Sequence, residues 1–154
     1  MNLSRQIGTE LAAALSDYPW PGSTTLAAVF RRIPDYTLED LGTLKCSVIP
    51  GPVTVEAMQL GRGADLFKVT VGIVLAKHVG DETEIQQLED LNQAIIDAIR
   101  SERISVASVP NGTDWIEITL PVTYDRDALT ERSVFMSQIE ITYQVPLDKV
   151  PAPA

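Results

Sequence analysis

The residues able to do chemistry are few and scattered. The chain holds one histidine, His78, and one cysteine, Cys46. A cysteine nucleophile needs a base and an electropositive setting. Cys46 instead falls in the alternating run Leu44, Cys46, Val48, which places it among core positions as a small hydrophobe. His78 stands beside Lys77 at a strand end, where a solvated imidazole is expected rather than a proton relay. With one of each residue, neither an intrachain disulfide nor a His- or Cys-built metal site is available within one chain. Asp125 and Asp127 flank Arg126 at a spacing that hard cations use, but the glycine and downstream glutamate of a calcium loop are absent. A solvated acidic loop is expected there. Gly61-Arg62-Gly63-Ala64-Asp65 is glycine-rich, yet a phosphate loop ends in Lys-Ser/Thr and opens a helix, and this stretch leads into a strand. Arg31-Arg32 reads as a solvated strand end. Glu39-Asp40, Glu82 with Glu84, and Glu89-Asp90 read as loop, helix cap and outer helix face. The expected catalytic, cofactor-binding and metal-ligating residues are therefore none, and no cofactor is implied.

The element that organises the chain runs from Leu66 to Arg100. Phe67, Val69, Val71, Ile73 and Leu75 alternate with Lys68, Thr70 and Gly72, the period of a half-buried strand. After Gly80 the period changes. Ile85, Leu88, Leu91, Ile95, Ile96 and Ile99 share one stripe of a helix over 84–100. Asp81 followed by Glu84 matches a capping box, and Arg100 complements the dipole at the far end. Asn92 falls inside the apolar stripe. A buried amide without partners costs about 1–3 kcal/mol, so it bonds either to sheet backbone or to another subunit.

Around this unit the chain reads in order. Leu3, Ile7, Leu11 and Leu15 predict a helix over 2–16, with Gly8 a cost of about 1 kcal/mol in its middle. Tyr18-Pro19-Trp20-Pro21-Gly22 ends it, and Trp20 is expected to plug the core edge. Residues 24–33 have strand composition but poor alternation, and 35–43 read as a loop or single helical turn. Strands are expected over 44–49 and 53–60, separated by a turn at Pro50-Gly51-Pro52, with Val53, Val55 and Ala57 inward. Residues 61–65 then form a hairpin that projects as an arm. Residues 103–109 suit a short strand, followed by a turn at Pro110-Asn111-Gly112. Over 114–123, Ile116, Ile118 and Leu120 share one face and Trp115, Glu117 and Thr119 the other, with Pro121 marking an edge. Tyr124 to Ser133 reads as a polar connection. The last strand carries Phe135, Ser137, Ile139, Ile141, Tyr143 and Val145 on one face and is expected to end at Pro146. The order is α+β: a mostly antiparallel twisted sheet with an N-terminal helix and a central amphipathic helix (about 84–100) on one face.

At 154 residues one domain is expected over 1–149, with 150–154 as an extended or disordered tail. A net charge of −9 argues against tightly held DNA or anionic membrane, since phosphate binding needs clustered Lys and Arg. No stretch approaches the roughly eighteen apolar residues of a membrane span, and no signal peptide is visible. A soluble protein working in a cytoplasm is expected.

From Leu66 onward the pattern resembles the tail terminator (tail completion) proteins of long-tailed bacteriophages. The marks are the N-terminal helix, the strand LFKVTVGIVLAK, the polar linker and helix IQQLEDLNQAIIDAI, the strand around Trp115, the Pro-x-x-Tyr-Asp segment (Pro121, Tyr124, Asp125), and the final strand from Phe135 to Tyr143. Residues 18–60 match less well. The resemblance implies a virion structural protein and not an enzyme. It implies a homo-oligomeric ring, usually hexameric, that caps the head-proximal end of the tail tube, stops its polymerisation and offers a head–tail joining surface. Its partners would be copies of itself, the tail tube protein and head–neck connector proteins, with DNA only a passing neighbour and no membrane. It would reside in the virion, and in the host cytoplasm during assembly. The alternatives are another connector, neck or assembly adaptor protein, or a small ligand-binding domain or enzyme. The roles of Trp20, Asn92 and the 61–65 tip stay open at this stage.

Overall fold

The computed structural model describes residues 2–33, 40–57, 63–106 and 112–148. The expectations for 35–39, the end of the 53–60 strand, the 61–62 part of the hairpin tip, residues 107–111 and the tail beyond 149 lie outside the described residues. Helix α1 (Leu3–Asp17) is capped by Asn2, whose side chain accepts from the Arg5 amide at 3.0 Å. Ile7, Leu11 and Leu15 are fully buried. Gly8 has a packing reason: a Cβ there would overlap the ring of Phe30 on β1 (Ala28–Phe30). That strand is shorter than the composition of 24–33 suggests. Its start is fixed by α1, because Ser16 Oγ accepts from the Ala28 amide at 3.0 Å.

Strand β2 (Lys45–Ala57) is one continuous strand, which corrects the expected turn at Pro50-Gly51-Pro52. Both of its halves pair with the same neighbour, β3 (Ala64–His78), and the register passes from Pro50↔Val71 to Val53↔Val69. The three residues form a bulge with one extra residue, and chain direction does not reverse. Gly51 is needed because a Cβ would lie 2.8 Å from the Thr70 carbonyl oxygen.

Helix α2 (Glu82–Arg100) begins as its sequence demands. Asp81 accepts from the Glu84 amide at 2.9 Å, and Glu84 accepts from the Gly80 amide at 3.3 Å. Strand β4 (Asp114–Val122), helix α3 (Arg126–Arg132) and strand β5 (Val134–Asp148) complete the chain. The short α3 replaces the expected irregular connection. Asp125 caps it by accepting from the Ala128 amide at 3.1 Å, and Ser133 closes it in the left-handed conformation. Residues 103–106 do not form a strand.

The sheet order is β1-β2-β3-β5-β4, with β1 parallel to β2 and every other pairing antiparallel. This is the expected α+β class, with a mixed sheet. Val48, Val69, Val71, Ile73, Leu75, Ile139 and Ile141 line one face and join α1 and α2 in the main core. Trp20 is buried as a plug, and its indole N–H donates to the Leu15 carbonyl at 2.9 Å. Asn92 finds neither of its two expected partners but a sheet side chain. Its amide donates to Ser137 Oγ at 2.9 Å, within the chain. On the opposite face Val74 and Ala76 are buried, Ala76 in a small cluster with Leu41, Ala128 and Val134 at one end of the sheet.

Two more corrections follow from irregular strands. Strand β5 continues through Pro146 to Asp148. Strand β4 pairs with β5 only as far as Asp114↔Gln144, and Pro146 lies beyond that point, on the side where no ladder partner remains among the described residues. In β4 a bulge between Trp115 and Glu117 shifts the alternation. Trp115, Ile118 and Leu120 therefore pack toward the core, while Ile116 is exposed.

Candidate interaction surfaces

The structure separates the residues that could have formed a reactive centre. Cys46 pairs with Leu75 on the helix-covered face, and burial pushes its thiol up to about 12. A neutral, enclosed thiol is a poor nucleophile. His78 is three positions beyond Leu75, so it belongs to the opposite face, where it is exposed. Asp125 is engaged as the α3 cap. Arg31 and Arg32 are both exposed just after β1, and the Arg31 amide donates to the Val48 carbonyl at 2.8 Å. Among the described residues, no three His, Cys, Asp or Glu side chains are grouped to hold a metal ion, and no helix is long and apolar enough to cross a membrane. On the outer face of α2, Arg100 and Gln93 donate to Asp97 at 2.9 and 3.1 Å and hold its carboxyl below the usual range.

A cleft of about 610 Å³ opens between the turn at Pro21–Ser23, the stretch Gly42–Leu44 and the first half of α2. Leu44, Leu88 and Leu91 give it an apolar floor, and Lys77 pairs with Glu84 at 3.8 Å across its rim. Thr24, Thr43, Gln87 and Asp90 add polar groups to its lining.

The more extensive features are the sheet's uncovered parts. On the outer side of β2, β1 pairs only with Cys46–Val48. Beyond this point every residue from Pro52 to Ala57 is exposed. Val53 and Val55, expected inward, are 48% and 53% exposed. The cause is geometric: β2 outruns the helix layer, so these valines lie on the helix side of the sheet with no helix above them. At the other edge β4 leaves Ile116 and Val122 exposed and Trp115, Ile118 and Leu120 half-buried. The sheet face opposite α1 and α2 is polar over its middle. Thr70 and Thr142 share a hydrogen bond at 3.0 Å, Lys68 pairs with Glu56 at 3.1 Å, and Gln138 donates to Glu140 at 3.1 Å. The extra residue at Pro50-Gly51-Pro52 keeps Val53 and Val55 on the helix-side face, opposite Val69 and Phe67, and their exposure has no signal in the local sequence.

No known family model matches the chain, and no curated protein does. Among solved structures it is similar to the sheath/tube terminator of an extracellular contractile injection system, PVC, in the extended state. The likeness has 14% sequence identity and a TM-score of 0.48, and covers 97% of this chain and 60% of that one. The chain thus spans less than two thirds of that terminator's length.

Proposed function

We propose that this chain is a structural component of a phage or phage-like tail, acting as a tail terminator. Copies assemble into a ring, a hexamer in this reading, at the head-proximal end of the tail tube. The ring ends tube polymerisation and presents the surface on which the head is joined. Residues 1–149 act as one unit, with 150–154 as a tail.

The observation that carries this reading is the sheet's exposure. Helices α1 and α2 cover one face as far as the Val53 and Val55 strip, the other face is polar over its middle, and the two edges are open on opposite sides among the described residues. Long open edges invite pairing and are ordinarily blunted or covered. A monomeric protein gains nothing from Val53 and Val55 in water, while a ring of heterologous contacts covers both edges at every subunit. The polar face, bearing Lys68, Glu56, Thr70, Thr142 and Glu140, is suited to line a wet lumen. A net charge of −9 lets DNA pass such a lumen without being held. The residue pattern from Leu66 to Tyr143 supports the same assignment, and the placement of Cys46 and His78 on opposite faces of the sheet is in keeping with a structural role.

Size exclusion with light scattering, on the protein alone and mixed with the tail-tube subunit from the same genome, tests the proposal. A discrete ring-sized species, alone or with the tube subunit, is expected. A compact monomer under both conditions would refute it.

A further inference from the structure

We infer that copies of this chain join edge to edge: the outer half of β2 pairs antiparallel with β4 of the next copy, with Val55 opposite Ile118. This rests on the ring reading and names its contact.

The argument begins with which backbone groups face outward. In a strand, side-chain face and hydrogen-bonding direction alternate together, so residues on one face of one strand turn their N–H and C=O to the same side. Val48 is on the helix face of β2, and its carbonyl accepts from the Arg31 amide of the chain beyond β1 at 2.8 Å. Helix-face residues of β2 therefore direct their backbone groups away from β3. Past the bulge the helix-face residues are Val53 and Val55, opposite Val69 and Phe67. Their donors and acceptors point outward, where no described strand receives them.

The same alternation fixes β4. It runs antiparallel to β5, which runs antiparallel to β3, so β4 is antiparallel to β2. Reversing the strand reverses the direction in which helix-face residues point. Trp115 and Ile118, paired with Tyr143 and Ile141, thus turn their backbone groups away from β5, out of the opposite edge, and a second irregularity follows between Thr119 and Val122. Each edge presents outward hydrogen-bonding groups on residues whose side chains are apolar and on the same face. If one copy follows another with the sheet continued, β4 meets β2 in antiparallel sense. Val55 then pairs with Ile118 in a hydrogen-bonded position of a ladder, and the Val53 side chain lies beside Leu120. The two uncovered apolar strips become one covered strip.

The fit extends along the strands. Strand β1 occupies the outer side of β2 only to Val48, and β4 ends at Val122, so the incoming strand stops short of β1. Ile118 is level with Val71 through Ile141, whereas Val55 is level with Phe67. The contact staggers each copy by four residues, about 13 Å, across four inter-strand steps of about 4.8 Å. That corresponds to a strand tilt of about 35°, near the 35–45° at which closed sheets are built. The contact is heterologous, and a stagger of this size lets it close rather than run on as a filament.

Two variants, Val55→Cys and Ile118→Cys, test the pairing. The double variant, oxidised at concentrations where the ring forms, is expected to give a ladder of disulfide-linked species ending at the ring. A mixture of the two single variants is expected to stop at the dimer, and Val29→Cys with Ile118→Cys is expected to give none. In parallel, Val55→Pro removes an outward N–H and Val55→Lys places a charge on the edge. Both are expected to lower the ring fraction at least tenfold, with circular dichroism of the monomer unchanged. A ring that persists in Val55→Lys, or forms without cross-linking in the double variant, overturns the pairing and leaves the ring reading standing. A wild-type protein that remains monomeric even with the tube subunit overturns both.

Discussion

Gly8 offers a sharp test of the packing, because two effects of opposite sign act at one residue. In an exposed helix interior, Gly→Ala stabilises by about 1 kcal/mol through helix propensity. Here a Cβ would overlap Cδ2 and Cε2 of Phe30 and approach its Cγ to 3.5 Å. Carbon atoms pack best at about 3.5–4.0 Å, so the ring has to move by about an ångström or more, or swing outward and lose cover. Overpacking of this kind costs about 1–3 kcal/mol. The clash outweighs the propensity gain, and Gly8→Ala is expected to destabilise by about 1 kcal/mol net, or roughly 2–4 °C in Tm for a chain of this size. The assay is urea denaturation of wild type, Gly8→Ala, Phe30→Ala and the double variant. In the Phe30→Ala background the sign should reverse, with Gly8→Ala now stabilising by about 1 kcal/mol. If Gly8→Ala alone raises the denaturation midpoint, α1 does not pack on β1 as described.

Three further outcomes are expected. Asn92→Ala strands the buried Ser137 hydroxyl and should cost about 1–3 kcal/mol, while adding Ser137→Ala should cost much less than a second increment of that size; chemical denaturation of the four members of the cycle measures the coupling. Cys46 and Tyr143 have both been pushed above their ordinary values by burial, so the folded state holds protons that the unfolded state releases. Stability is therefore fully present below about pH 9 and falls as pH rises toward 12; Cys46 alone accounts for about 1 kcal/mol by pH 10, measured as the shift in urea midpoint between pH 8 and 10, and a thiol reagent should label it only on unfolding. Asp81→Ala removes the α2 cap and should cost about 1 kcal/mol, read as a fall in Tm, with Asp81→Ser nearly neutral.

Periodicity found what depends on local chemistry. The strand from Phe67 to Leu75, the α2 stripe with its Asp81 cap, the α1 stripe and the Phe135–Val145 alternation each follow from side chains repeating at one period. What escaped was irregularity that preserves direction. Pro50-Gly51-Pro52 has the composition of a turn, and only its pairing with Val71 and Val69 distinguishes a bulge. The bulge after Trp115 likewise exchanges the faces of Trp115 and Ile116 without any mark in composition. Asp125-Arg126-Asp127 carried a cap signal that was outweighed by its polarity, though Asp at the cap and Arg132 in the last turn suit a short helix. The candidate site was the least legible part. The exposure of Val53 and Val55 depends on where the helix layer stops, a property of the whole fold rather than of residues 53–57.

The central claim is that this protein works by assembling on a tube end. Its most direct test is the length distribution of tail tubes grown in vitro from the tube subunit and tape-measure protein, imaged by electron microscopy with and without this chain. The account predicts that adding the protein narrows the distribution and leaves a ring of density at one tube end, and that Val55→Lys does neither. Tubes that grow to the same lengths with no density at either end would contradict it.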